Sequence, residues 1–149
     1  MSKQVDSTGD SPAFVHSIRV GWGHCDPAQI AYTGHLPSFA LEAIDAWWEH
    51  HLDGDGWFQM ELDRGTGTPF VSMNLEFRSP VTPRHRLECA VWPCAIGTKS
   101  VTFRVDARQN GTLCFEGRFT CVFITQPEFK ARPAPADYRA VIEANLQPE

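Results

Sequence analysis

The sequence predicts an α+β domain in which a curved antiparallel sheet of about five strands wraps around one helix. Three observations carry this prediction: a single long stretch of helical periodicity, four successive stretches of two-residue alternation after it, and an Asn-Gly pair between two of those stretches. The 149 residues suffice for one domain with a real core and are too few for two comfortable ones. Residues 1–12 (MSKQVDSTGDSP) read as a flexible polar arm and residues 13–149 as the domain.

The elements follow in order β-α-β-β-β-β-α. Phe14, His16, Ile18 and Val20 alternate with Val15, Ser17 and Arg19 as a first strand, which ends at Gly21-Trp22-Gly23. From Thr33 or Gly34 to Leu52 the period becomes helical, with Leu36, Ala40, Ala43, Ile44, Trp47 and Trp48 on a broad apolar stripe. Pro37 falls in the first turn, where a missing N–H does least harm. Glu42, Asp45 and Glu49 form a narrow polar stripe, so the helix should be covered on more than one side. A glycine-rich connection over 53–67 leaves room for one short helical piece near Phe58 to Asp63.

Period two then takes over: Val71, Met73, Leu75 and Phe77; Leu87, Cys89 and Val91; Val101, Phe103, Val105 and Ala107; Phe115, Phe119, Cys121 and Phe123. The breaks fall at Pro80 to Pro83, at Ala95-Ile96-Gly97 and at Gln109-Asn110-Gly111, whose Asn-Gly is a two-residue hairpin signal. After the proline-rich 132–136, Asp137 to Asn145 is amphipathic and closes the chain as a short C-terminal helix.

Composition narrows the function. A hydrophobic fraction of 42% with 10 Phe and 5 Trp belongs to a soluble protein with an aromatic interior, and a net charge of −5 disfavours nucleic acid or an anionic membrane as partner. No apolar run is long enough to span a bilayer. Five cysteines without a C-x-x-C pair, and no leader-like apolar opening, point to reduced thiols in the cytoplasm.

The densest chemistry lies in GHCDPAQIAYTG, residues 23–34, where the first strand gives way to the helix. Asp26-Pro27 suits an ordinary turn. His24, Cys25 and Asp26 suit a metal poorly, because adjacent side chains diverge and the other histidines lack ligand spacing; no metal is expected. Cys25 reads as a small packing residue. The third reading is catalytic, since a carboxylate here stands just ahead of a helix N-terminus with unpaired N–H groups.

The stretch G-x-C-D-P-A-x-I at 23–30, with G-T-P at 67–69, V-S-x-N at 71–74, V-F-I at 122–124 and P-A-D-Y at 135–138, resembles the 4-hydroxybenzoyl-CoA thioesterase family of hot-dog-fold proteins over residues 14–140. Two positions depart from its pattern: Gln29 replaces the glycine of D-P-A-G-I, and Thr33 an aromatic. The resemblance implies an acyl-CoA thioesterase acting on an aromatic, 4-hydroxybenzoyl-like acyl group, with Asp26 catalytic and the amides of Thr33 and Gly34 at the thioester oxygen. It further implies substrate contacts from Pro27, Tyr32, Thr68, Ser72, Asn74 and Lys99, with Lys99 near the nucleotide. Coenzyme A enters as part of the substrate, and no other cofactor is implied. A homodimer, assembling to a tetramer, is expected, since one short sheet cannot bury both faces of so apolar a helix.

Other readings stay open beside these. Ser72 and Asn74 suit an exposed sheet face as well as a pocket. Trp47, Trp48 and the Phe ladder suit a core, and Trp57, Phe58 and Tyr32 an aryl-binding wall. Arg84, Arg86, Lys130 and Arg132 suit either phosphate contacts or solvated surface. A carboxylate among Glu42, Asp45 and Glu49 is the helix alternative that other hot-dog thioesterases use. The competing functions are an acyl-carrier-protein or short-chain acyl-CoA thioesterase, or a non-catalytic acyl-binding protein. Within the enzymatic reading, an aspartate with an ordinary pKa of about 3.9 lies roughly three units below the optimum for a general base at neutral pH, which favours direct nucleophilic attack.

Overall fold

The computed structural model describes residues 13–149; the expected arm at 1–12 lies outside the described residues. Strand β1 (Phe14–Ile18) leads through a 3₁₀ turn (Trp22–His24) and a second one (Thr33–His35) into helix α1 (Leu36–Leu52). A π-helical turn (Gln59–Asp63) follows, then β2 (Thr66–Gly67), β3 (Phe70–Phe77), β4 (Leu87–Ile96), β5 (Ser100–Gln109), β6 (Thr112–Val122), β7 (Ile124–Thr125), β8 (Lys130–Ala131) and helix α2 (Ala136–Ala144).

Five strands form one antiparallel sheet in the order β1-β4-β5-β6-β3. Its inner face carries the residues picked out by alternation, and α1 lies across them. Trp47 meets Phe103 edge-on with ring centroids 5.1 Å apart, and both are buried. Trp48 stacks towards Tyr138 of α2 at 5.6 Å, so the short C-terminal helix covers a flank of α1 that the sheet leaves open. Burying each such aromatic contributes about 2–3 kcal/mol before the entropy of ordering it is counted. This is the hot-dog arrangement.

Local chemistry explains the joints. Asn110 and Gly111 adopt φ of 50° and 81°, as a two-residue hairpin loop between twisted strands requires. Helix α1 ends with Asp53 in the left-handed region, φ 55°, donating its N–H to Glu49 O. Strand β4 runs past the expected stop to Ile96, and Pro93 sits where the β4–β5 register shifts, a place that tolerates a missing donor.

A second sheet, β2-β7-β8, was not legible in the sequence, because two-residue strands have no period to display. Its pairs, such as Gly67 with Ile124, clamp the connection after α1 to the end of β6.

Strand β3 is an edge. A bulge at Val71 separates the pairs Phe70–Cys121 and Ser72–Thr120, so Phe70, Met73, Leu75 and Phe77 share the inner face while Ser72, Asn74 and Glu76 share the outer one. Val71, Met73 and Phe77 are left 63%, 48% and 52% exposed, beyond the reach of α1.

Candidate active site

The motif at 23–34 folds as a small hairpin of its own. Cys25 and Ala31 form a bridge, Tyr32 N donates to His24 O at 2.8 Å, and Asp26 N donates to Ile30 O at 3.1 Å. Ala31 N donates to Val81 O at 2.8 Å and pins the hairpin to the segment before β4. At the tip, Asp26 Oδ1 accepts the Ala28 N–H at 2.9 Å, while among the described residues Oδ2 accepts from none. The turn reading and the catalytic reading are therefore compatible: one carboxylate oxygen orients the group and the other stays free. Pro27 is exposed at this tip, and Gln29 holds φ 68° at the position where the family motif has glycine.

At the base of the hairpin the chain enters α1. His35 N donates to Tyr32 O and Leu36 N to Thr33 O, but among the described residues no backbone bond of the loops and caps takes the N–H of Thr33 or Gly34. Both residues are exposed. Two successive free amides at the positive end of a helix can stabilise an oxygen that gains charge. The Tyr32 ring lies over Gly34, and a cavity of about 290 Å³ opens beside Thr33 between Ile30, Leu36, Phe77 and Val81.

His24 is anchored within the loop. Its Nδ1 accepts the Gly21 N–H at 3.0 Å, which places the ring proton on Nε2, and its ring meets Phe39 edge-on at 4.9 Å. Cys25 Sγ points to Gly21 O at 3.6 Å, as a packing thiol. Among the described residues no three His, Cys, Asp or Glu side chains are grouped as a metal site. Burial pushes the Cys89 and Cys121 thiols up to about 12, so neither serves as a nucleophile near neutral pH.

Two of the three helix carboxylates have structural partners. Glu42 pairs with His16 at 2.8 Å, and Asp45 Oδ1 accepts the Trp57 N–H at 2.9 Å.

The remaining expected contacts are dispersed within one chain. Thr68 is buried at the other end of β3, where it lines a cavity of about 300 Å³ with Leu41, Trp57, Phe70 and Ile124. Ser72 and Asn74 stand opposite Thr120 and Arg118 on the outer face of the sheet, turned from α1; they do not join the hairpin and helix start within one chain. Lys99 lies in the β4–β5 turn, where its carbonyl accepts the Phe123 N–H. That turn follows Ile96, whereas the hairpin adjoins the Leu87 end of β4, so roughly 30 Å of strand separates them. Arg132 N donates to Phe123 O beside Lys99, while Arg86 is tied to Ser17 and Arg84 is exposed. Trp57 joins the 300 Å³ cavity and, with Phe58, Asp45, Glu61 and Leu62, lines a second of about 330 Å³, although Phe58 and Tyr32 are themselves largely exposed. Glu61 and Gln126 in the first of these cavities had no sequence signal, since Glu61 lies in a single helical turn and Gln126 just after a two-residue strand, and neither belongs to a motif.

A hot-dog sheet around one helix, with a D-P-A hairpin feeding that helix, defines a class, and comparison agrees. The model of the Thioesterase-like superfamily matches residues 20–142, and the chain belongs to that family, whose chemistry is the hydrolysis of thioesters. The chain is similar to a thioesterase-superfamily protein from Jannaschia sp. CCS1, at 57% identity over 99% of both chains with a TM-score of 0.88. Its fold is also that of a 1,4-dihydroxy-2-naphthoyl-CoA thioesterase from Synechocystis, at 20% identity over 87% of this chain and 95% of that one, TM-score 0.77. A gentisyl-coenzyme A thioesterase shares it at 19% identity over 87% and 99%, TM-score 0.77. Comparison with curated proteins found no match. No helix among the described residues is long and apolar enough to cross a membrane.

Proposed function

We propose that this protein hydrolyses an acyl-CoA thioester with an aromatic acyl group, using Asp26 as nucleophile. The observation that carries the reading is the pairing, in one loop, of a carboxylate with one free oxygen and two adjacent amides with no backbone acceptor. The thioester carbonyl accepts from the Thr33 and Gly34 N–H groups. An Asp26 oxygen bonds to the carbonyl carbon, the C–S bond breaks, and coenzyme A leaves as thiolate to take a proton from water. Water then opens the mixed anhydride, which releases the acid and restores Asp26. Each oxyanion donor of this kind lowers a barrier by about 3 kcal/mol, and fixed positioning adds an effective molarity on the order of 10⁵ M.

The working unit in this reading is a dimer joined through β3. An eight-residue edge with exposed Val71, Met73 and Phe77 favours a second copy pairing antiparallel along it. A two-fold axis there sets the Phe77 end of one strand against the partner's Phe70 end. The hairpin of one protomer then faces the partner's Thr68 cavity and the partner's Lys99 end, which collects the residues that one chain keeps apart. The aromatic preference draws on the aromatic lining of that cavity and on the acyl groups named for the two fold relatives.

Asp26→Asn tests the mechanism: turnover of benzoyl-CoA and 4-hydroxybenzoyl-CoA, followed by thiol release, should fall at least about 10³-fold with little change in substrate Kd. Retained turnover removes Asp26 from the chemistry. In a single turnover in ¹⁸O water, label in Asp26 establishes attack with the anhydride opened at the Asp26 carbonyl, whereas label in the acid alone together with no acyl-enzyme seen by mass spectrometry replaces attack by base catalysis.

A further inference from the structure

The cavity at the Phe70 end of β3 has apolar walls from Leu41, Trp57, Phe70, Ile124 and Phe129, and one ionisable side chain, Glu61. That carboxylate is exposed at the cavity and has one hydrogen-bond partner among the described residues. Gln126 Nε2 donates to Oε1 at 2.8 Å, and Oε2 rests over Gly67, where a Cβ would stand 3.1 Å away. The frame behind it is stiff: Met60, next in the chain, is fully buried; Gln126 N donates to Gly65 O at 2.8 Å; and Gly67 pairs with Ile124. Among the described residues no donor meets Oε2.

From this we infer that Glu61 determines acyl specificity, accepting a hydrogen bond from a hydroxyl on the distal part of an aromatic acyl group bound in this cavity. The inference rests on the thioesterase reading above, in which the partner's cavity faces Asp26. Three properties select the occupant. The volume of about 300 Å³ suits an aryl group and not a protein segment. The walls reward a flat apolar body. The single carboxylate rewards a donor and repels another carboxylate, so a hydroxylated ring fits where a dicarboxylic acyl group does not. The Gln126 amide already occupies Oε1, so the donor falls to Oε2.

The experiment compares benzoyl-CoA, 3- and 4-hydroxybenzoyl-CoA and 4-carboxybenzoyl-CoA, with kcat and KM resolved, for the full chain and its Glu61→Gln, Glu61→Ala and Asp26→Asn variants. The wild type should favour a hydroxylated substrate over benzoyl-CoA by on the order of tenfold in kcat/KM, mostly through KM, since a hydrogen bond to a charged group is worth about that factor. Glu61→Ala should bring that ratio close to one, and Glu61→Gln should raise the relative rate on 4-carboxybenzoyl-CoA. Thermal melts and sedimentation confirm that each variant folds and assembles as the wild type does. A hydroxyl-to-plain ratio unchanged in both Glu61 variants overturns the inference, as does an equal loss on every substrate. Inactive Asp26→Asn beside an unchanged ratio removes the Glu61 role alone; active Asp26→Asn removes the catalytic reading itself.

Discussion

The Tyr32 ring lies across Gly34 so closely that a Cβ on residue 34 would stand 2.6 Å from Tyr32 Cε2 and 3.1 Å from Cδ2. The conflict is one of space and not of a left-handed backbone, and it is with the ring of an exposed side chain. The Gly34 amide is one of the two that the loop leaves free, so a side chain at 34 must displace the ring, the backbone or both. Gly34→Ala should lower kcat/KM about tenfold. In a Tyr32→Ala background the same substitution should cost little, because the obstacle is gone. Equal costs in the two backgrounds, measured by a double-mutant cycle, would separate the ring from the effect.

Gln29 occupies φ 68° at the hairpin tip. A side chain in that region costs about 1–2 kcal/mol, and the extra freedom of an unfolded glycine returns roughly half of it. Gln29→Gly should therefore stabilise the fold by about 0.5–1 kcal/mol in urea denaturation. Destabilisation would mean that the Gln29 side chain has a supporting contact in the assembled protein.

Met73 points to the inner face from the centre of the edge strand β3 and is 48% exposed. A charge there should be buried if the edge is the dimer interface. Met73→Glu should give a monomer in sedimentation with thiol release at least about 10²-fold down, since the site would lose the partner's cavity and Lys99. A fully active monomer would show that one chain holds the whole site.

The outer face of the sheet carries an acid-sensitive network. Glu116 accepts from Arg104 at 2.9 Å and Arg78 at 3.0 Å; Arg104 first, then Arg78, holds its carboxyl below the ordinary value of 4.5. A depressed carboxyl stabilises the fold at pH above the unfolded value, and that stabilisation is lost as pH falls through the folded value. Asp137, held down by Arg64, follows the same sign from 3.8. Glu116→Gln should cost about 1 kcal/mol or less at pH 7, discounted for its partial exposure, and the gap to wild type should close below pH 4.5. Melting curves at several pH values read this directly; a gap that widens in acid contradicts it.

Much of the molecule is legible in its sequence. Helix α1 and strands β3 to β6 announce themselves because each is long enough to repeat its period, and Asn110-Gly111 because few pairs tolerate two positive φ angles. Asp26, Thr33 and Gly34 were picked out together because they are neighbours in the chain; the hairpin holds Asp26 at its tip and Thr33 and Gly34 at its base, where α1 begins. Glu61 and Gln126 were not, since they are 65 residues apart and meet only through the β2–β7 clamp.

Residue types and their spacing thus determined the long elements, the core faces and the motif ahead of α1, all of which depend on interactions within a few residues. The tertiary structure alone decided which side of β3 the polar residues take, that the Val71 bulge brings Phe70 to the inner face, and that Thr68 and Lys99 lie far from Asp26 in one protomer. Those outcomes depend on register and on strand order. Register and order come from pairing between distant segments, and alternation along one strand is the same whichever neighbour it meets.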